Sequence, residues 1–341
     1  MVSDSRIDLR RDGTHALQID AVWIFVILSL TIIIGFRYEV GGDWANYYQY
    51  LASAANLDFS DLLTLEDPGY WALNILSNKL GFGITGVNVF GALLFSTGLV
   101  VFCRSLPRAW LALACAMPYL VTVVAMGYTR QAIALGFVMI GLVMLSRTNF
   151  KAFVVWVLLG ALFHKSAVLM IPIAALTIST NRWFTFLLVG VVTFLSYSVL
   201  LESSVDRFIQ FYSDEVMQSS GALIRLAMNL TPAVLFLVYR KRIICAEQEK
   251  RIWTLFALMA IFMFFVFFPT SLSTALDRMA LYLIPLQLFV FAHLPDALGG
   301  YKRRNQVIVV AILIYYAAVM FTWLNFASHS RYWVPYNVGI I

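Results

Sequence analysis

The chain has 341 residues, of which 61% are hydrophobic and 12% charged, with a formal net charge of +6. Apolar runs recur from end to end, which excludes a soluble domain and points to a polytopic membrane protein. The basic residues sit in short loops between those runs, so the positive charge is not the footprint of a nucleic-acid partner.

The polar N-terminal residues lead into a first apolar stretch with no small-residue cleavage pattern behind it, so no cleavable signal peptide is expected. In chain order, apolar stretches at 20–36, 84–103, 109–125, 127–146, 152–163, 166–177, 183–201, 222–239, 252–268, 278–293 and 306–325 predict about eleven transmembrane segments. The expected fold class is all-α: one integral membrane domain over 1–341, with outer loops at 37–83 and 202–221. The second of these loops carries Val205, Phe208, Ile209, Tyr212 and Val216 at helical spacing, which suits an amphipathic helix, either a lid or an interfacial anchor. Cys103, Cys115 and Cys245 have neither metal-site nor disulfide spacing and read as reduced thiols. No internal repeat or low-complexity segment is present.

Orientation follows from the positive-inside rule. With the N-terminus in the cytoplasm, 16 of the 24 Lys and Arg fall inside, and 11 of the 18 Asp and Glu fall outside. The stretch 156–176 then poses a problem, because His164, Lys165 and Ser166 interrupt its apolar sequence. The loops before it (Arg147, Lys151) and after it (Arg182) both read as cytoplasmic, so the chain must cross an even number of times between them. We therefore expect a broken hairpin of two short arms meeting at His164–Lys165. Each arm spans ~18 Å against a ~30 Å hydrocarbon core, so its tip must end in a recess that opens outward.

Four of the outside cations, Arg37, Arg130, Lys165 and Arg278, lie at the outer ends of apolar runs. Singly, each could be a snorkelling anchor. As a set they suggest an anion site, since arginine forks bind phosphate bidentately and stay charged at depth. Neither an Asp-x-Asp nor an HExxH signature is present, so no metal or cofactor is expected. Acidic candidates lie in the first outer loop. Asp43 follows a glycine pair and is either a helix N-cap or a functional carboxylate, while Glu66 and Asp67 precede a Pro-Gly turn.

The motifs "FRYEVGGDWANYY", "EDPGYW", "YTRQAIAL", "LLGALFHKSAVLMIP" and "DRMALYL" occur in this order. Together they resemble the EpsG family of Wzy-like polysaccharide polymerases, over about 36–282, with a looser match in the Tyr-Trp-x-Pro-Tyr tail at 332–336. The resemblance implies a metal-independent enzyme of the bacterial inner membrane, with a helical fold like that of lipid-donor membrane glycosyltransferases. Such an enzyme joins oligosaccharide repeat units carried on polyprenyl diphosphate at the outer face, beside a flippase and a chain-length regulator. Residues carried over from the matching motifs are Arg37, Asp43, Arg130, Gln131, His164 and Arg278, with Lys165 added as a fourth diphosphate contact. Asp67, Gln131, Tyr47 and Tyr282 stand as substrate-binding candidates. In this reading the arginines stabilise the leaving diphosphate and His164, neutral beside cations, takes the acceptor proton. Asp43 is the rival base, or the group that orients His164, and direct displacement would invert the anomeric centre.

Three rivals remain at this point. A glycan ligase needs the same lipid donor. A membrane O-acyltransferase can carry a histidine in an apolar helix but needs a cytoplasmic acyl donor, whereas the unusual charges here face outward. A transporter or flippase of the lipid-linked glycan would carry charges along the depth of several spans.

Overall fold

The computed structural model describes residues 20–178, 222–267, 273–300, 303 and 305–339. Among them the chain is all-helical. Five helices are long and apolar enough to cross a membrane: Gly83–Arg104, Thr129–Ser146, Glu247–Phe267, Arg278–Gly299 and Gln306–Phe326. Five shorter apolar helices accompany them: Ala21–Gly35, Ala109–Ala125, Phe150–Ala161, Lys165–Thr177 and Leu223–Tyr239. These ten helices coincide with ten of the about eleven expected apolar segments; five are long enough to cross a membrane unaided, and the two short hairpin arms are among the other five. The stretches 183–201 and 202–221, read as a span and an amphipathic loop, lie outside the described residues.

We number the helices α1 (Ala21–Gly35), α2 (Trp44–Ala54), α3 (Pro68–Lys79), α4 (Gly83–Arg104), α5 (Ala109–Ala116), α6 (Thr129–Ser146), α7 (Phe150–Ala161), α8 (Met170–Ile178), α9 (Ala222–Tyr239), α10 (Glu247–Phe267), α11 (Ser273–Leu281), α12 (Ile284–Gly299) and α13 (Gln306–Phe326). The outsides of α1 and α13 show why a bilayer is required. Helix α1 exposes Val22, Phe25, Leu28 and Ile32, and α13 exposes Val307, Val310, Ile314 and Phe321. A contiguous apolar surface of this kind belongs against lipid rather than water.

Helices α4 and α6 form the centre of the bundle. A Cβ on Gly98 would collide with the backbone of Gly136, and one on Gly136 would sit 2.9 Å from the Cα of Phe95. Two glycines thus let the backbones meet, which is how helices associate where the hydrophobic effect gives no drive between them. Helix α1 packs on α4, α7 on α6, and α9 on α10 and α12.

Three helix breaks position the polar groups, and each has a sequence cause. Helix α5 widens into a π-helix over Met117–Ala125, where Pro118 removes an amide donor and Thr122 donates to the carbonyl of Met117 at 2.9 Å. The apolar run 150–178 is interrupted, as expected, after Ala161: a 3-10 turn over Lys165–Leu169 precedes α8, and His164 is its N-cap. Helix α11 stops before α12 because Pro285 has no N–H for the carbonyl of Leu281. Two side chains bond to carbonyls beside this break. Gln131 donates to that of Arg278 at 2.7 Å and Asn229 to that of Ala280 at 2.8 Å.

The segment 37–83, expected as an outer loop, is largely helical. It holds α2, a 3-10 turn over Phe59–Thr64, and α3. Tyr47, Leu51, Tyr70 and Leu73 pack from this unit onto Ile84 and Val87 of α4 and Ile133 of α6. The first turn of α3 lies against the hairpin break, with Gly69 N–H donating to Leu162 at 2.8 Å.

Candidate active site

Arg130 lies in the first turn of the 18-residue α6. The helix dipole there favours an anion, so a cation in that place gains nothing from the helix, and together they make a strongly positive locus. The Arg130 guanidinium lies over the ring of Tyr50, 4.7 Å from its centroid, with Tyr70 at 5.9 Å. Its one hydrogen bond among the described residues goes from Nη1 to Asp67 Oδ2 at 3.0 Å. Its Nε is buried without a partner.

Asp67 does more than shape a turn. It precedes Pro68 in a left-handed conformation (φ 55°), yet its side chain does not cap α3. Instead one oxygen takes Arg130 and the other accepts the backbone N–H of Lys165 at 3.0 Å. A single carboxylate thereby joins the outer loop, α6 and the hairpin break. Burial pushes the Asp67 carboxyl above its ordinary range, and Arg130 pulls it back. Lys165 reaches outward to Glu66 at 3.1 Å.

His164 belongs to neither apolar arm. Its Nδ1 accepts the Ser166 backbone N–H at 3.3 Å and lies 2.6 Å from Ser166 Oγ, which is 3.0 Å from the Tyr282 hydroxyl. A backbone N–H can only donate, so Nδ1 carries the lone pair and the neutral ring bears its proton on Nε2. Burial first, then Arg130, Arg278 and Lys165, hold the imidazole well below its ordinary pKa, so it is neutral near pH 7.

Asp43 occupies the N-cap position of α2 without bonding its amides. Burial raises the pKa of its carboxyl, while Arg278, Arg130 and the Asn46 side chain lower it. Arg278 is exposed. Asp43, Arg130, His164, Lys165, Asp67 and Arg278 are therefore gathered at one end of the bundle.

Four expected contacts lie underneath this cluster rather than at its face. Arg37 is 1% exposed. Its guanidinium donates to Ile34 O at 2.5 Å, Asn88 Oδ1 at 2.9 Å and Thr129 Oγ1 at 2.7 Å. Among the described residues no carboxylate pairs with it, so a buried positive charge stands below the site. Gln131, Tyr47 and Tyr282 are also buried. The Gln131 amide donates to Arg278 O at 2.7 Å. Asn88, Thr129, Tyr50 and Tyr70 were not foreseen, because neutral partners of a distant arginine leave no trace in local spacing; nor was Ser166, the partner of His164 and Tyr282. Among the described residues no three His, Cys, Asp or Glu side chains gather to hold a metal ion.

The fold and this cluster define an all-helical membrane protein with a cationic site at one end of its bundle. The EpsG family model matches residues 20–338, nearly the whole chain, and the chain belongs to that family, a Wzy-like polymerase family of polysaccharide biosynthesis. Neither a curated protein nor a solved structure matches it.

Proposed function

We propose that this chain joins polyprenyl-diphosphate-linked oligosaccharide repeat units at the outer face of a bacterial inner membrane, with inversion at the anomeric carbon. On this reading its N-terminus is cytoplasmic and its cationic cluster faces outward. Its partners are the lipid-linked donor and acceptor, with a flippase and a chain-length regulator beside it. The observation that carries the proposal is the Arg130 fork, which among the described residues makes one hydrogen bond and keeps a buried, unbonded Nε beside an exposed Arg278. A guanidinium with open donors suits a diphosphate.

In the proposed step the acceptor hydroxyl oxygen bonds to the donor's anomeric carbon. The bond from that carbon to the diphosphate oxygen breaks, and the diphosphate leaves with the electron pair. Arg130, Arg278 and Lys165 take up the growing negative charge, while Arg37 adds its field from beneath through low-dielectric protein. The acceptor proton goes to Asp43. His164 is assigned a different role from the base expected for it, because its Nδ1 already accepts from Ser166. Its Nε2–H donates to the diphosphate or the acceptor.

A strain lacking the chain tests this. Single repeat units should accumulate on the lipid at the outer face, and the parent chain should restore polymer. Long chains left on the lipid would indicate a ligase, and units that fail to reach the outer face a translocator. Either result overturns the proposal.

A further inference from the structure

The last described residues return to the site. Past α13 the tail runs back across the end of the bundle and pairs with the segment that follows α1. Tyr38 N–H donates to Asn337 O, Gly339 N–H to Phe36 O and Gly41 N–H to Tyr332 O, each at 2.9 Å. Arg37 and Val338 form an antiparallel bridge, and the Tyr336 hydroxyl donates to Ile33 O. These bonds fix the backbone between α1 and Asp43, a stretch too short to form a helix of its own.

Within this strap Trp333 is the only residue driven into the core; it is 6% exposed and packs edge-on against Trp323 at 5.1 Å. Its indole N–H donates at 2.8 Å to Thr122 O, within the π-helix. Its ring lies between two glycines. A Cβ on Gly127 would stand 2.6 Å from the ring, and a Cβ on Gly42 would touch it at 3.7 Å. Gly42 precedes Asp43, and Gly127 is three residues before Arg130. Gly41 has φ +112° and faces Met126 O so closely that only glycine fits. One indole thus touches both backbone segments that deliver the proposed base and the proposed diphosphate ligand.

We infer that Trp333 is a positioning residue, a wedge that sets the distance between the Gly41–Asp43 turn and the start of α6. The inference rests on the role proposed for Asp43. A displacement of about 1 Å at a reacting group can cost about 10²-fold in rate, so the wedge acts on kcat and leaves donor binding to the arginines.

The test uses the purified full chain with lipid-linked repeat units. Trp333→Ala should lower kcat by about 10²-fold with KM little changed, and Trp333→Phe, which keeps a ring in the gap, should regain most of the rate. Gly127→Ala pushes on the same ring without altering the tail and should also lower kcat. A second readout is independent of the chemistry. With the native cysteines replaced, the thiol of Asp43→Cys should be labelled about tenfold faster when Trp333→Ala or Gly127→Ala is added, because local opening exposes it, while Ser53→Cys on the far end of α2 should not change. Unchanged labelling of Asp43→Cys in both backgrounds overturns the wedge, as does a full rate in both Trp333→Ala and Gly127→Ala. Faster labelling together with full activity in Asp43→Asn removes the base role from Asp43 and leaves the wedge standing.

Discussion

Two arginine–carboxylate pairs sit at opposite ends of the span Ala109–Ala125, and they are built differently. Arg108 meets Asp296 with both arms of its fork, Nε to Oδ2 at 3.3 Å and Nη2 to Oδ1 at 2.8 Å, and Nη2 also reaches Arg303 O at 2.8 Å. Arg130 gives Asp67 a single bond and rests on aromatic rings. The first pair closes the bundle, with the geometry of a structural clamp. The second keeps donors open beside Arg278, over an Arg37 that pairs with no carboxylate among the described residues. On the proposed reading, an anchor and a ligand site differ in how many guanidinium donors are already used, and not in where the cation lies along the helix.

That contrast can be broken by substitution. The largest loss of rate is expected for Asp43→Asn, about 10²–10⁴-fold in purified protein, because a general base is worth that much. Arg130→Lys keeps the charge but loses the fork, and should cost about 10²–10³-fold in kcat, as removal of one preorganised donor does elsewhere. Arg108→Lys should leave kcat per folded molecule unchanged. Its effect should be on stability, about 1–3 kcal/mol from carboxylate and carbonyl acceptors left unpaired, seen as a lower thermal midpoint. Equal kcat losses at Arg130 and Arg108 would erase the distinction.

A smaller effect sharpens it through pH. Asp43 acts as a base only when ionised, and burial raises its pKa. The rate should therefore fall on the acid side with a midpoint above the ordinary carboxylate value of about 4. Arg278 lowers the Asp43 pKa, so Arg278→Gln should move the midpoint of the residual rate upward. His164, held neutral, should contribute no inflection near its ordinary value of about 6.5. A midpoint that stays where it was in Arg278→Gln would show that Arg278 does not act on the base.

Much of this was legible in the sequence, and the gaps have physical causes. Arg147 and Lys151 before the apolar stretch and Arg182 after it required an even number of crossings, so a break at His164–Lys165 was readable from loop charge together with the cost of a Lys in hydrocarbon. The gathering of Arg130, Lys165 and Arg278 followed from their shared place at helix ends. Three things were hidden. Asp67 and Arg130 are 63 residues apart, and the turn chemistry of Asp-Pro-Gly masked the pairing. Arg37 looked like its fellow cations, but Asn88 and Thr129, neutral residues on two other helices, draw it inward. The tautomer of His164 was hidden as well, because the N–H of Ser166 decides it. The bounds of the five shorter apolar helices fall within about two residues of the stretches read from hydropathy, whereas the π-helical turn inside Ala109–Ala125 leaves no mark on hydropathy.

The most direct measurement reconstitutes the purified chain in vesicles with repeat units linked to polyprenyl diphosphate and resolves the products by length. The account predicts a ladder of lengthening glycans on the lipid from the parent and from Arg108→Lys, and single units only from Arg130→Lys. Single units from a folded parent chain, or the same ladder from Arg130→Lys as from the parent, would contradict it.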